Sequence, residues 1–255
     1  MATDGQVNRA EHLSGRGERR QPGYQDHGQI PVLVYHRISE SPLLGGTWVR
    51  PGVLAAQLDA VLGAGFQAVR GSEWLATMAD PTATADLQTP RFLLTFDDGT
   101  DDLYHHRSLF LERRLPGVVF VPAAFVGRPN LWEWPLPTRR VQHLDGRQLR
   151  ELIAAGWEVG LHGDRHRDLT RLSDHDLHRE LHTARLSLAD RLGQAINLVS
   201  YPYGRVDARV LAVAARAGFA AGFVVCAPWP GAGLLTVPRR PVYCIDSPHS
   251  VVVKL

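Results

Sequence analysis

Residues 93–102, LLTFDDGTDD, place four aspartates in ten positions directly after an apolar run. Asp97 and Asp98 are adjacent and precede Gly99. Successive side chains on a strand point to opposite faces, and neighbouring carboxylates repel. Two readings explain the pair. Asp and Gly form solvated turns, and this is the plain one. In the other, a divalent cation offsets the repulsion, with one carboxylate binding it and one beside it acting as a base.

A second signal is HGDRH, with His162 and His166 four apart. That spacing can put two imidazoles on one side of a turn or curled loop, which suits a divalent metal. With 12 histidines in the chain, the spacing also arises by chance. His178 and His182 share it, but they flank the stripe Leu177, Leu181, Ala184, Leu188 and Leu192 and read as solvated helix-face residues. His162 instead ends an apolar strand and precedes Gly163. A carboxylate from the DDG turn would complete a site of two His and one Asp with open positions. Asp98 would then bind the metal, and Asp97 would take a proton from water.

These residues need elements to position them. IPVLVYH, QAVR, RFLLTF, GVVFVPAAF, WEVGLH, NLVSYPYG, GFVV and LTVPRRPVY read as strands or extended pieces, most of them apolar on both faces. Helical segments stand between them. Pro51 opens one, Asp145 caps another, and Ser173 with Asp176 resembles a capping box for a third. A helical stretch is expected from 103 to 114. Strands alternating with helices predict an α/β fold, a distorted (β/α) barrel of six to eight parallel strands in a single domain. Chemistry in such barrels sits at the C-terminal strand ends, where TFDDG, GLHGDRH and YPYG all fall.

Residues 1–29 hold four Arg and four acidic residues with few apolar groups, and read as a disordered tail ahead of a domain at 30–255. The 255 residues are 44% apolar, enough for a sizeable core, and the net charge of +2 gives no reason to expect nucleic acid. No apolar leader and no membrane span are visible, which points to the cytoplasm and leaves action at the cell envelope open. Cys226 and Cys244 read as two small hydrophobes. Trp132 and Trp134, in a loop with Asn130 and Glu133, could stack on a sugar face or merely pin the loop. No P-loop occurs, which weighs against phosphoryl transfer.

TFDDG, the His-x-x-x-His segment and the PYG turn, in this order, resemble the polysaccharide deacetylases of carbohydrate esterase family 4. The opening PVLVYHRI and the closing RRPVY look like a bacterial branch, and the resemblance runs from about Ile30 to Leu255. It implies a zinc ion, with cobalt or nickel as alternatives, and removal of an N-acetyl group from an amino sugar or glycan. It makes Asp97 the base and Asp98, His162 and His166 the metal ligands. Tyr203 would lend its backbone N–H to the oxyanion. Pro202 and Arg240 join Trp132 and Trp134 as expected substrate contacts.

Three departures stand out. The family's second motif usually carries Ser or Thr where this chain has Gly163. Its third motif often begins with an Arg that orients the base; here that position is Ser200, and Arg240 or Arg205 is the expected substitute. The late Leu-x-His that supplies an acid is not evident, with His249 in SPHS as a weak stand-in and His36 read as a satisfied core histidine. These gaps keep a non-catalytic carbohydrate-binding protein as the alternative.

Overall fold

The computed structural model describes residues 30–43, 45–80, 89–130, 141–225, 230 and 232–255. The expected tail at 1–29, the loop carrying Trp132 and Trp134, and Cys226 lie outside them.

The strands are β1 (Val32–Tyr35), β2 (Arg37–Ile38), β3 (Trp48–Val49), β4 (Gln67–Val69), β5 (Arg91–Phe96), β6 (Val118–Val121), β7 (Glu158–Leu161), β8 (Leu198–Ser200), β9 (Ala221–Val224), β10 (Val237–Pro238) and β11 (Arg240–Pro241). Between them run α1 (Pro51–Gly63), α2 (Gly71–Ala79), α3 (Asp102–His105), α4 (Ser108–Leu111), α5 (Gly146–Ala154), α6 (Asp174–His178), α7 (Ala184–Leu192), α8 (Ala208–Ala217) and α9 (Pro248–Val253). The expected helix at 103–114 is two short ones, and the long helix after Ser173 contains a π-helical turn, Arg179–Thr183, between α6 and α7.

The main sheet is parallel throughout and runs β10-β9-β8-β7-β6-β5-β1-β11. Residues 237–241 are one extended run broken at Arg239. Its first half pairs with β9 and its second with β1, so the sheet nearly closes into a barrel. β4 pairs with the first half of β5 and β6 with the second. The chain is therefore the distorted (β/α) barrel its sequence predicts. Among the described residues, no helix is long and apolar enough to cross a membrane.

Two apolar clusters follow from the period of two along a strand. Leu33, Tyr35, Leu94, Phe96, Val159, Leu161 and Val199 face outward and pack with the helices. Val32, Leu93, Val118, Phe120, Leu198, Phe223 and Val237 face the barrel interior, with Trp74 of α2 packed among them. The Phe223 centroid lies 5.3 Å from both Trp74 and Phe120. α5 starts on a capping box between Asp145 and Gln148, and α6 on the Ser173 side chain, as the sequence suggests. Cys244 is exposed rather than packed as a hydrophobe.

The interior leaves no room at Gly160, which pairs with Phe120 across β6 and β7. A Cβ there would lie 2.4 Å from the Phe120 ring and 3.0 Å from the Leu198 carbonyl. Gly160→Ala is expected to destabilise the fold by about 1–3 kcal/mol through overpacking. Urea unfolding should show a lower midpoint at an unchanged slope; an unchanged midpoint would mean that the ring moves freely.

Candidate active site

The inward parity carries the chemistry. Leu93 faces inside, so Thr95 and Asp97 follow it. The same count places His162 after Gly160, Ser200 after Leu198, Arg239 after Val237 and His36 after Val32 and Val34. All of these stand at or just beyond the C-terminal strand ends. By the same period, Asp98 should point away. Its φ of 67° reverses the chain and brings its carboxylate back beside Asp97. Gly99 follows with φ 57°, where a Cβ would meet Val121 at 2.5 Å. His143 Nδ1 donates to the Asp98 carbonyl at 2.8 Å and holds this turn from the side.

Asp98, His162 and His166 each offer a ligand atom, and these atoms all lie within 4.8 Å of one another. His162 Nε2 is 3.4 Å and His166 Nε2 3.2 Å from Asp98 Oδ1. That oxygen is buried with no aligned hydrogen bond. His162 Nδ1 donates to the Ser200 carbonyl at 2.7 Å, which leaves the Nε2 lone pair directed at the cluster. Burial favours the neutral form of Asp98, but the two imidazoles outweigh it and hold the carboxyl well below its ordinary value. Two imidazole nitrogens and a carboxylate oxygen converging on an orphaned acceptor fit a divalent cation, and the nitrogens favour zinc over magnesium.

Asp97 is buried, and its partner is Arg239. Arg239 Nη1 and Nη2 each donate to one carboxylate oxygen at 2.7 Å. Arg239 also donates to Ser200 Oγ at 2.8 Å, and Ser200 Oγ donates to Asp97 Oδ2 at 3.0 Å. Burial would raise the Asp97 carboxyl; the Arg239 and His162 charges and the Arg239 hydrogen bonds hold it down at about 2.

Several expectations are corrected. Arg240 does not substitute for the family's orienting arginine, and its guanidinium is not at the mouth. Its parity is opposite to that of Arg239, and it donates to the carbonyls of Lys254 and Leu255. Arg205 pairs with Asp168 at 2.6 Å. Pro202 is buried and packs toward Gly163 instead of meeting solvent. His249 is exposed on α9, which packs on α1. His36 is not satisfied: its Nδ1 is buried without a hydrogen-bond partner. Its burial lowers its pKa against the opposing pull of Asp98 and Asp97.

Tyr203 takes φ 61° in the turn after β8, its ring 4.9 Å from that of His166. His178 is exposed, and its ring stacks on His182 at 4.6 Å away from the cluster. Asp102 is structural, accepting from Arg37 Nε, the Ile38 amide and Thr100 Oγ1. Sequence reading missed Arg239, His143 and Glu180. Glu180 is buried with its Oε2 on the amides of Asp164 and Arg165. It occupies the space beside Gly163, where φ is 74° and a Cβ would lie 2.9 Å from that oxygen, so a Ser or Thr does not fit there.

Residues 84–222, more than half of the chain, match the family model for polysaccharide deacetylase. A chitooligosaccharide deacetylase of Bradyrhizobium sp. (strain ANU 289) is 31% identical over 135 residues, 50% of this chain and 52% of the relative. The chain thus spans about half the length of that curated relative. Among solved structures, the Streptococcus pyogenes deacetylase PplD in complex with acetate superposes with a TM-score of 0.76 at 21% identity, over 89% of this chain and 97% of that one. IcaB from Ammonifex degensii gives 0.69 at 25% identity over the same shares. At 21% identity the former speaks for the fold alone.

The Asp97–Arg239 pair makes a stability prediction. Arg239→Ala leaves a buried carboxylate uncompensated and should cost about 3–5 kcal/mol at pH 7. In the parent, the folded pKa near 2 lies below the unfolded value of 3.8, so the contribution is full above pH 4 and fades as pH falls through 2. In Arg239→Ala the Asp97 pKa rises, so the deficit should shrink on acidification from pH 7. Denaturant titrations of both proteins from pH 7 to 4 check this; a deficit independent of pH would assign the loss to packing.

Proposed function

The chain belongs to the polysaccharide deacetylase family, and from that premise we propose that it is a metal-dependent hydrolase removing an N-acetyl group from an amino sugar in a glycan or oligosaccharide. One observation carries the reading: three ligand atoms gathered within 4.8 Å, beside a second, ionised carboxylate that is not among them. Asp98, His162 and His166 would hold the cation, with zinc the best match to the donors and cobalt or nickel as alternatives. A bound cation supplies Lewis-acid polarisation of the acetyl carbonyl and makes water more acidic.

The chain's own residues do the rest. Asp97 accepts the proton of the attacking water, and Arg239 with Ser200 fixes the direction of its carboxylate. Tyr203, in the left-handed turn after β8, would lend its backbone N–H to the developing oxyanion. His36 delivers a proton to the departing amine. Its support is the inward parity along β1 and the Nδ1 left without a partner. The exposed Tyr203 ring at the mouth offers an apolar face for a sugar, and Trp132 and Trp134 remain candidates for the same task. The binding-only alternative drew on an absent arginine and an absent acid. Arg239 on Asp97 answers the first of these, and the unpartnered His36 supports a candidate for the second, so that reading is second.

Metal content and acetate release from N-acetylglucosamine oligomers test the roles. Asp98→Asn and His162→Ala should lose the ion, whereas His178→Ala should retain it. Asp97→Asn should retain the ion and lose turnover on the order of a hundredfold or more, and His36→Gln should behave alike. An ion lost from Asp97→Asn and retained in Asp98→Asn would reverse their roles. Undiminished turnover in His36→Gln would move the acid elsewhere.

A further inference from the structure

We propose that Glu180 is a positioning residue for the metal centre: its buried carboxylate sets the backbone of the loop between His162 and His166, and so the separation of the two imidazoles. The proposal rests on the metal reading given above. It goes beyond that reading by assigning the loop's shape to a side chain from a distant helix.

The two histidines are held in unlike ways. His162 continues β7, its amide donates to the Val121 carbonyl, and its ring is tethered to Ser200. His166 lies beyond the strand, on a loop that turns through positive φ at Gly163 and again at His166 itself (54°). Carbonyls of that loop are taken by the 123–124 segment, with Ala123 N donating to Gly163 O and Ala124 N to Asp164 O, each at 3.0 Å. The loop amides face the other way. Asp164 N and Arg165 N both donate to Glu180 Oε2, at 2.7 and 2.9 Å. One carboxylate oxygen therefore gathers two consecutive N–H groups midway between the ligands. Both amides are satisfied by this one buried acceptor oxygen, and that acceptor is what the loop takes from the side chain. Glu180 reaches this position from the π-helical turn Arg179–Thr183, which buries Glu180 and Leu181 together. Such turns are uncommon and recur at functional sites.

A cavity of about 250 Å³, with Arg165, Arg167 and Arg179 in its wall, adjoins Glu180. Water from this cavity can reach the two amides when the carboxylate is removed. Variants at 180 should therefore fold while their loop relaxes.

The experiment compares Glu180→Ala, Glu180→Asp and Glu180→Gln in the full chain. Zinc affinity is measured by competition with a chromophoric chelator, and the visible spectrum is recorded after cobalt loading. Affinity should fall roughly 10- to 100-fold in Glu180→Ala and Glu180→Asp, as for other outer-shell partners of metal ligands. The Asp carboxylate retains the charge but stops one methylene short of the amides. Glu180→Gln keeps an acceptor oxygen at full reach, so its affinity and cobalt spectrum should stay close to the parent's. Parent-like affinity and spectrum in both Ala and Asp variants would overturn the proposal. So would retention by Asp with loss by Gln, which would assign the effect to charge at a distance. If circular dichroism shows Glu180→Ala unfolded, the Asp and Gln variants decide on the same terms. A parent that binds no zinc overturns the metal reading together with this one; a zinc-binding parent with indifferent variants overturns this one alone.

Discussion

A carboxylate buried at the top of an apolar barrel must be compensated, and the arrangement around Asp97 answers that demand. The charge cannot be left alone, because desolvation of an unpaired ion costs several kcal/mol. Arg239 meets it with two parallel hydrogen bonds while lying over the rings of Phe120 and Phe223, at 5.6 and 5.8 Å. The pair requires residues 237–241 to lie between β9 and β1 with Arg239 facing inward. The same demand keeps Asp97 ionised and available to accept a proton.

The candidate cation site is then built by bending backbone around this fixed point. Four non-glycine residues among the described ones have positive φ, and three of them are Asp98, His166 and Tyr203. Each such position costs of order 1–3 kcal/mol unless its surroundings compel it. The compelling contacts are on hand: His143 on the Asp98 carbonyl, Glu180 on the loop before His166, and the Tyr203 hydroxyl donating to the His166 carbonyl. The Arg205–Asp168 pair ties the turn after β8 to the same loop. Strain at the mouth is thus shared among three loops that brace one another.

How much of this was legible in the sequence depended on whether a signal was local. The alternation of apolar strands with capped helices gave the barrel, because each element declares itself within about ten residues. The grouping of Asp98 with His162 and His166 was legible because the DDG and HGDRH segments each directly follow an apolar strand. Arg239 was not. In VPRRPVY both arginines have the same neighbours, and only the inward placement of Val237, a tertiary fact, decides which of them enters the barrel. His36 was misread for a related reason: the strand is apolar on both faces, so its parity is hidden. Glu180 has no sequence signal, because a single-residue register shift at a π-helical turn leaves no compositional trace.

The partners Asp97 and Arg239 are separated by 142 positions along the chain. Closing a loop of that length carries an entropic cost that grows only logarithmically with length, but it must be met before the contact gives anything back. The orienting partner arrives only when the last strand run has been laid between the first strand and β9. A partly folded chain could therefore hold every residue of the first five main-sheet strands in place and still leave Asp97 without its arginine. The buried charge of Asp97 is therefore compensated only as the barrel closes, so topology couples the two in folding.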